Sequence, residues 1–137
     1  MSGLLLDTHV WIWLNEGSSE LNSANVREID HAAGQGELFV SAISVWEIAI
    51  LVAKKRILLR TSIRDWIEQA LSQPGIRLMP LLPNIAVEST LLPDGLNADP
   101  ADRIIVATAR VKLLTLMTHD ANIQQYAKSG FIATKKA

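Results

Sequence analysis

The chain has 137 residues, a length at which one hydrophobic core is expected, and we predict a single domain over residues 1–137. Hydrophobic residues make up 49% of the chain, and the absence of cysteine excludes disulfides, thiolate nucleophiles and cysteine-based zinc sites. The formal net charge of −1 neither favours nor excludes a polyanionic partner, so any surface for nucleic acid must be local.

The first predicted element is a short apolar strand over Leu4–Leu6, which ends at Asp7 and is followed by a helix containing VWIWL. Asp7 and His9 interrupt this apolar segment and no basic segment precedes it, so a signal sequence is not indicated. No charge-free apolar stretch approaches the ~18 residues that span a bilayer. We therefore expect a soluble, cytoplasmic protein that does not associate with a membrane.

The middle of the chain is predicted to alternate between helices and strands. Glycines and prolines divide it at Gly34, Gly36 and Pro74-Gly75. The predicted elements are a surface helix over 18–33, a strand over 37–41, helices over 43–55 and 62–71, and a strand over 76–79.

The last part of the chain contains the clearest helix start. Asp99 and Pro100 are typical of a helix opening, with aspartate as the cap and proline at the first helical position. In chain order we predict a helix over 84–92, a turn over 92–95, a helix from Pro100 to about Val111, a strand over 113–117, a helix from about Ala121 and an edge strand over 131–133.

This alternation of strands and helices predicts an α/β fold, a central parallel sheet of four to five strands with helices on both faces. In such sheets, ligands bind outside the carboxyl ends of the strands. Asp7 and Asp120 follow predicted strands, and Asp102 lies in the first turn of a predicted helix. These acids are therefore expected at the same edge of the sheet.

Glu47 is the only charged residue between Ser41 and Ala53, so its carboxylate is expected among apolar neighbours. One interpretation is a functional acid. The alternative is a capping box, because Ser44 and Glu47 have the S-x-x-E spacing of that motif.

The other acids also have alternative interpretations as structural residues. Asp99 is equally suited to cap a helix or to bind metal, and Asp120 is equally suited to cap the helix that begins near Ala121. Asp102 complements a helix dipole, but the apolar IIVATA after it favours a functional position against the sheet. Asp7 is the hardest to explain structurally, because strand ends are seldom acidic without a partner.

Carboxylates that share one cleft require a cation. Two charges about 4 Å apart repel by about 1 kcal/mol in water and about 4 kcal/mol at an effective dielectric of 20. Oxygen ligands without cysteine or histidine suit Mg²⁺ or Mn²⁺ rather than zinc. Such ions promote in-line displacement at phosphorus, so the acids predict metal-dependent hydrolysis of phosphodiesters.

The remaining candidates are the histidines, the tryptophans and a basic segment. His9 and His119 flank strand ends, but a structural role is favoured for both. The four tryptophans are favoured as core or dimer-interface residues over base-stacking ones. The basic residues that follow the Glu47 helix indicate a solvated face that can also contact phosphates; they are Lys54, Lys55, Arg56, Arg60 and Arg64.

Four ordered segments give the chain a family resemblance: LLLDTHVWIW, SAISVWEIAI, DPADRIIVATA and LLTLMTHDANI. In these segments it resembles the PIN-domain ribonucleases, in particular the VapC-like toxins of type II toxin–antitoxin systems. The resemblance implies a Rossmann-like sheet, an acidic Mg²⁺ or Mn²⁺ site and endonucleolytic cleavage of RNA. It also implies a homodimer and inhibition by a cognate antitoxin protein.

By position, the resemblance assigns catalysis to Asp7, Glu47, Asp102 and Asp120, and metal binding to these four and Asp99. Asp120 matches a position that varies within the family. The resemblance further implies that Thr118 supports the site by hydrogen bonding, and that Arg103 contacts phosphate or pairs with an acid. The alternative function is a non-catalytic PIN-fold module that binds RNA or protein, and the presence of Asp7, Glu47 and Asp102 argues against it.

Overall fold

A parallel β-sheet organises the chain. The computed structural model describes residues 3–93, 96 and 98–137, and within these residues there are five strands and seven helices. The strands are β1 Leu4–Leu6, β2 Leu38–Ser41, β3 Ile76–Met79, β4 Thr115–Thr118 and β5 Ala133–Lys136. All neighbours pair in parallel in the order β3-β2-β1-β4-β5, which confirms the predicted α/β fold.

The helices lie between the strands in sequence. They are α1 Thr8–Glu16, α2 Ser23–Gly34, α3 Ala42–Ala53, α4 Ile63–Leu71, α5 Pro83–Thr90, α6 Pro100–Lys112 and α7 Ala121–Ala127. In the described part of the chain, no helix is both long and apolar enough to cross a bilayer.

Three predicted boundaries were wrong. The helix predicted from Ser18 begins only at Ser23, because Asn22 and Asn25 form a capping box at that point. Leu113 was predicted to open a strand, but it closes α6 in a left-handed conformation, so β4 starts two residues later. The last strand is Ala133–Lys136 rather than 131–133. The predicted turn over 92–95 includes Asp94 and Gly95, which lie outside the described residues.

The core consists of one apolar cluster on each face of the sheet. Side chains alternate along the central strand, so that Leu4 and Leu6 pack in one cluster with Trp11 and Ile48, while Leu5 packs in the other with Ile105. All three leucines are buried, as expected for a strand covered on both faces. Burying each such side chain contributes about 1.5–3 kcal/mol to folding, which holds β1 at the centre.

The position of β1 determines where the site lies. Leu6 pairs with Val40 of β2 on one side and with Met117 of β4 on the other. The residues that follow these partners therefore leave the sheet at one common edge. Asp7 therefore lies between two parts of the chain: the start of α3 on one side, and the segment that leads from β4 into α7 on the other.

Candidate active site

A cavity of about 350 Å³ opens at the carboxyl edge of the sheet. It is lined by five acids and three rings: Asp7, Glu47, Asp99, Asp102, Asp120, His9, Trp13 and His119. These acids come from four separate parts of the sequence: Asp7, Asp120 and the pair Asp99 and Asp102 lie at helix starts, and Glu47 lies in the middle of α3. The fold thus brings all five predicted site residues to one cavity.

Asp7 is held rigidly at the end of β1. Its side chain is only 8% exposed, and Oδ1 accepts a 2.8 Å hydrogen bond from the backbone N–H of Thr8. Oδ2 accepts a 2.6 Å hydrogen bond from the hydroxyl of Thr118. Burial raises the pKa of the Asp7 carboxyl, whereas the bonds from Thr118 and Thr8 act in the opposite direction. The negative charge at this position is therefore costly unless a cation compensates for it.

Glu47 projects from α3, and the capping-box alternative for it is wrong. Ser41 caps this helix by accepting a 3.1 Å hydrogen bond from the N–H of Ile43. Ser44 is buried instead, and its hydroxyl lies 2.8 Å from the hydroxyl of Thr8. Glu47 is therefore free of a capping role and available to the cavity.

The Glu47 carboxylate has an unsatisfied oxygen. Oε1 is buried and has no hydrogen-bond partner among the residues that the structure describes. Burial raises the pKa of Glu47, the hydroxyl of Thr8 acts in the opposite direction, and the nearby charges of Asp7 and Asp99 raise the pKa again. A buried oxygen without a donor is unfavourable, and it indicates that a group absent from the polypeptide completes this position.

Asp99 and Asp102 are linked at the start of α6. Asp99 caps the helix, because its Oδ1 accepts a 2.9 Å hydrogen bond from the N–H of Asp102. Burial and, after it, the negative charges of the neighbouring acids, Asp99 first among them, together raise the pKa of Asp102 to about 7. Asp99 thus has the predicted capping role while its carboxylate also faces the acidic cluster.

Three of the acids converge on one point. Carboxylate oxygens of Glu47, Asp99 and Asp102 all lie within 4.8 Å of one another. This spacing, the all-oxygen donor set and the unsatisfied Glu47 oxygen together fit a hard divalent cation. The side chains present are therefore suitable ligands for the divalent metal ion that the sequence predicts.

Asp7 and Asp120 line the same cavity outside that group of three. Asp120 caps α7, with Oδ1 accepting a 3.0 Å hydrogen bond from the N–H of Ile123. The predicted capping role of Asp120 is therefore confirmed. Binding of metal by Asp120 stays a prediction.

Arg103 forms no ion pair with an acid among the residues that the structure describes, and its contact with phosphate stays a prediction. Its Nε donates to the backbone oxygen of Ser89 at 3.0 Å, and its Nη1 donates to that of Leu96 at 3.2 Å. The guanidinium is thus directed at main-chain carbonyls before α6 rather than at an acid. Arg103 thus anchors the segment that precedes α6. The start of α6 carries Asp99 and Asp102.

The sequence predicted the positions of only some of the aromatic residues. Trp11 and Trp66 are buried and meet edge to face at 5.3 Å between ring centroids, as predicted for core residues. Trp13, His9 and His119 instead line the acidic cavity. The i, i+4 spacing of His9 and Trp13, directly after Asp7, was the available signal for this arrangement.

The basic segment lies away from the cavity lining. Arg60 donates from Nε to Glu16 at 2.8 Å and from Nη2 to the backbone oxygen of Asn15 at 3.0 Å. Lys54, Lys55 and Arg56 are exposed at the end of α3. The solvated-face interpretation agrees with this arrangement.

Sequence and fold comparisons agree on one group of proteins. Residues 4–129 match the sequence model of the PIN domain. Over 126 residues the chain is 34% identical to ribonuclease VapC22 of Mycobacterium tuberculosis, which covers 92% of this chain and 93% of that protein.

Solved structures share the fold. FitAcB from Neisseria gonorrhoeae superposes with a TM-score of 0.65 at 25% identity, covering 96% of this chain and 95% of that one. A chain of VapBC2 from Rickettsia felis, crystallised with a DNA fragment from its promoter, gives a TM-score of 0.71 at 13% identity and 98% coverage of both chains.

Proposed function

Because the chain belongs to the PIN-domain family, we propose that it is a metal-dependent endoribonuclease that acts as the toxin of a type II toxin–antitoxin system. The observation that carries the proposal is the convergence of Glu47, Asp99 and Asp102. One buried carboxylate oxygen of Glu47 has no hydrogen-bond partner among the residues that the structure describes. The name of the 34% identical relative, ribonuclease VapC22, supports RNA as the substrate.

The cation we propose is Mg²⁺ or Mn²⁺, held by Glu47, Asp99 and Asp102, with Asp7 and Asp120 beside them. All the acids in this set offer oxygen, which these ions prefer. When bound, such an ion polarises a phosphoryl oxygen and lowers the pKa of a coordinated water. Asp99 is exposed, so this side of the cluster is open to solvent and to a phosphate.

The polypeptide itself supplies orientation and charge. Thr118 and the N–H of Thr8 fix the Asp7 carboxylate, so that this charge cannot swing away when a phosphate enters. We assign Asp7 and Asp120 to orient the attacking water by accepting its hydrogens. The carboxylates also repel a phosphate that arrives without a cation, which makes hydrolysis dependent on metal.

The partners we propose are an RNA substrate, a cognate antitoxin and a second copy of the chain. Antitoxin binding is supported by the likeness to toxin–antitoxin assemblies such as VapBC2 and FitAcB. The acidic cavity is the surface that an inhibitor of cleavage must occupy or block.

A non-catalytic binding module is the alternative, and the raised pKa values argue against it. A protein that only bound RNA would gain nothing from burying carboxylates together, because each one weakens phosphate binding and destabilises the fold. The clustered acids are explained when a cation is part of the function.

The test is to sequence RNA ends after induced expression of the wild-type protein and of the Asp7→Asn variant. We expect a reproducible, site-specific set of 5′ ends with wild type and none with Asp7→Asn. Asp30→Asn, an exposed aspartate on α2, is the matched control and should cut like wild type. The same ends in the Asp7→Asn sample would refute the catalytic assignment.

A further inference from the structure

A row of three aromatic rings forms one wall of the acidic cavity. We propose that His9, Trp13 and His119 are a stacking platform for an unpaired base of the RNA strand, next to the phosphate that is cut. This inference rests on the ribonuclease function proposed above and adds to it the part of the substrate that is recognised.

The rings contact each other in sequence. The centroids of His9 and Trp13 lie 6.2 Å apart with a 55° angle between planes, and those of Trp13 and His119 lie 5.3 Å apart at 78°. Trp13 is therefore the middle ring and supports a histidine on each side. Such tilted and edge-to-face contacts are favourable and hold the three rings as a unit.

Other contacts fix the ends of the row. His9 lies in the first turn of α1, four residues before Trp13. The Nδ1 atom of His119 lies 3.1 Å from the backbone oxygen of Ala137, which can only accept, so Nδ1 carries the proton there. The wall is thus positioned by a helix on one side and by the end of the sheet on the other, and it requires no rearrangement before a ligand arrives.

The exposure of the row indicates a binding role. Both histidines are exposed and Trp13 is half-buried, whereas Trp11 and Trp66 pack against each other in the core. Folding alone does not require an aromatic row at the edge of a cluster of acids. A planar ligand that enters the cavity meets aromatic rings as well as carboxylates.

The charges that line the cavity indicate which part of RNA the rings bind. Among the lining residues that the structure describes, none is lysine or arginine, while five are acids. Phosphates gain little from these side chains beyond the bound cation, so affinity must come from another part of the nucleotide. Stacking of a base on an aromatic ring contributes about 1–3 kcal/mol and does not depend on phosphate charge.

The class of substrate follows from this geometry. In a duplex both faces of an internal base are covered by its neighbours, and only an unpaired base offers a free face. The platform therefore selects single strands, loops and ends of RNA over helices.

Two fluorescently labelled probes of eight nucleotides test the platform: octauridylate and a ribose-phosphate strand of equal length without bases. Uracil bases stack little on each other, so their faces are free. Binding is measured by anisotropy with Ca²⁺ in place of Mg²⁺ and with a gel check that the probe is intact. Cleavage of octauridylate is measured in parallel with Mn²⁺.

Substitutions that keep or remove a ring separate stacking from packing. Trp13→Leu should weaken binding of octauridylate roughly 5- to 150-fold, the equivalent of one lost base stack, and leave the abasic probe unchanged. Trp13→Phe should retain most of the affinity. The matched control is Trp46→Leu, because Trp46 is 55% exposed on α3 and is not among the lining residues.

A second pair of variants covers the case in which Trp13→Leu does not fold. His119→Leu should weaken octauridylate binding while His119→Phe retains it, since His119 is exposed and contributes little to the core. Unchanged octauridylate affinity in the ring-deleted variants would overturn the platform, and so would an equal loss for both probes. If wild type neither binds nor cuts octauridylate or any cellular RNA, the proposed ribonuclease function fails as well.

Discussion

The hydroxyl of Thr118 donates a 2.6 Å hydrogen bond to Oδ2 of Asp7, joining the ends of β4 and β1 beneath the acidic cluster. The same hydroxyl oxygen accepts a 3.0 Å hydrogen bond from the N–H of Asp120. Thr118 is fully buried, so both bonds are shielded from water. One side chain therefore orients two of the acids that line the cavity.

Replacing Thr118 by valine should remove both bonds at nearly constant shape. We expect unfolding to become easier by about 1–3 kcal/mol, the cost of leaving buried polar groups unpaired. Metal affinity should fall roughly 10- to 100-fold, as is typical when a hydrogen bond that orients a carboxylate beside a metal site is lost. Chemical denaturation and calorimetric titration with Mn²⁺ measure the two effects.

The controls for this substitution are Thr118→Ser, which keeps the hydroxyl, and Thr90→Val on the exposed surface of α5. Thr118→Ser should retain most of the metal affinity, and Thr90→Val should leave it unchanged. Wild-type metal affinity in Thr118→Val would show that the position of Asp7 beside the three ligating acids does not depend on this bond or does not affect metal binding.

Glu47→Gln should abolish most of the stabilisation by metal. A ligand that binds only the folded state at 100 times its Kd adds about 2.7 kcal/mol to the free energy of unfolding. We expect Mn²⁺ to raise the Tm of wild type by several degrees and that of Glu47→Gln by less than half as much. Differential scanning calorimetry in Mn²⁺ and in EDTA provides the comparison.

In EDTA the Tm of Glu47→Gln should equal or exceed that of wild type, because the substitution removes a half-buried charge that Asp7 and Asp99 repel. The matched control is Glu68→Gln on the exposed face of α4, which should respond to Mn²⁺ like wild type. A full Mn²⁺ shift in Glu47→Gln would exclude Glu47 from the metal site.

The raised pKa of Asp102 predicts how stability depends on pH in the absence of metal. The pKa is about 7 in the folded protein against an ordinary aspartate value of 3.8, so the folded state binds more protons between these values. Stability in EDTA should therefore fall as the pH rises from about 4 to about 7. Asp102→Asn should flatten this slope, which thermal unfolding across the range would reveal.

Metal binding should show the opposite dependence on pH. A cation binds the deprotonated carboxylate, so Mn²⁺ affinity should increase as the pH rises through about 7 and protons should be released on binding. Titration calorimetry in two buffers of different ionisation enthalpy measures this release. Affinity that is constant between pH 6 and pH 8 would contradict the assignment of Asp102 as a ligand.

Arg103→Lys should act through the fold rather than through RNA contacts. Lysine cannot donate to the oxygens of Ser89 and Leu96 in the geometry that the guanidinium uses, so we expect a loss of about 1–3 kcal/mol in stability. Metal affinity should fall with it, because the start of α6 is less well fixed. The salt dependence of octauridylate binding should stay the same, since no phosphate contact is lost.

Arg64→Lys, on the exposed side of α4, is the control for Arg103→Lys and should change neither property. If Arg103→Lys instead reduced the salt dependence of binding at unchanged stability, Arg103 would have to contact phosphate after all.

Local sequence signals were sufficient to predict most of the secondary structure. Leu4–Leu6 and Ile76–Met79 agree with the predicted strands, and Asp99-Pro100 opens α6 as its capping chemistry indicates. One of the wrong boundaries occurred because Leu113 ends α6 in a left-handed conformation. That conformation is rare outside glycine and asparagine, so the sequence offered no warning of it.

The sequence by itself determined the α/β fold, the family resemblance and the five acids, because apolar periodicity, helix caps and ordered motifs are properties of neighbouring residues. The tertiary structure decided how those acids are grouped. It showed that Ser41 rather than Ser44 caps α3, that Arg103 binds backbone oxygens, and that Asp99 caps a helix within the acidic cluster.

The stacking platform of His9, Trp13 and His119 also depends on tertiary structure. Trp13 and His119 are 106 positions apart by their numbers, and they meet because β1 and β4 are neighbours in the sheet. Strand order is a property of the whole chain. It is established when β1 is buried between the two apolar clusters, one on each face of the sheet. Only then do the residues after β1 and β4 share one cavity, which both carboxylates and aromatic rings line.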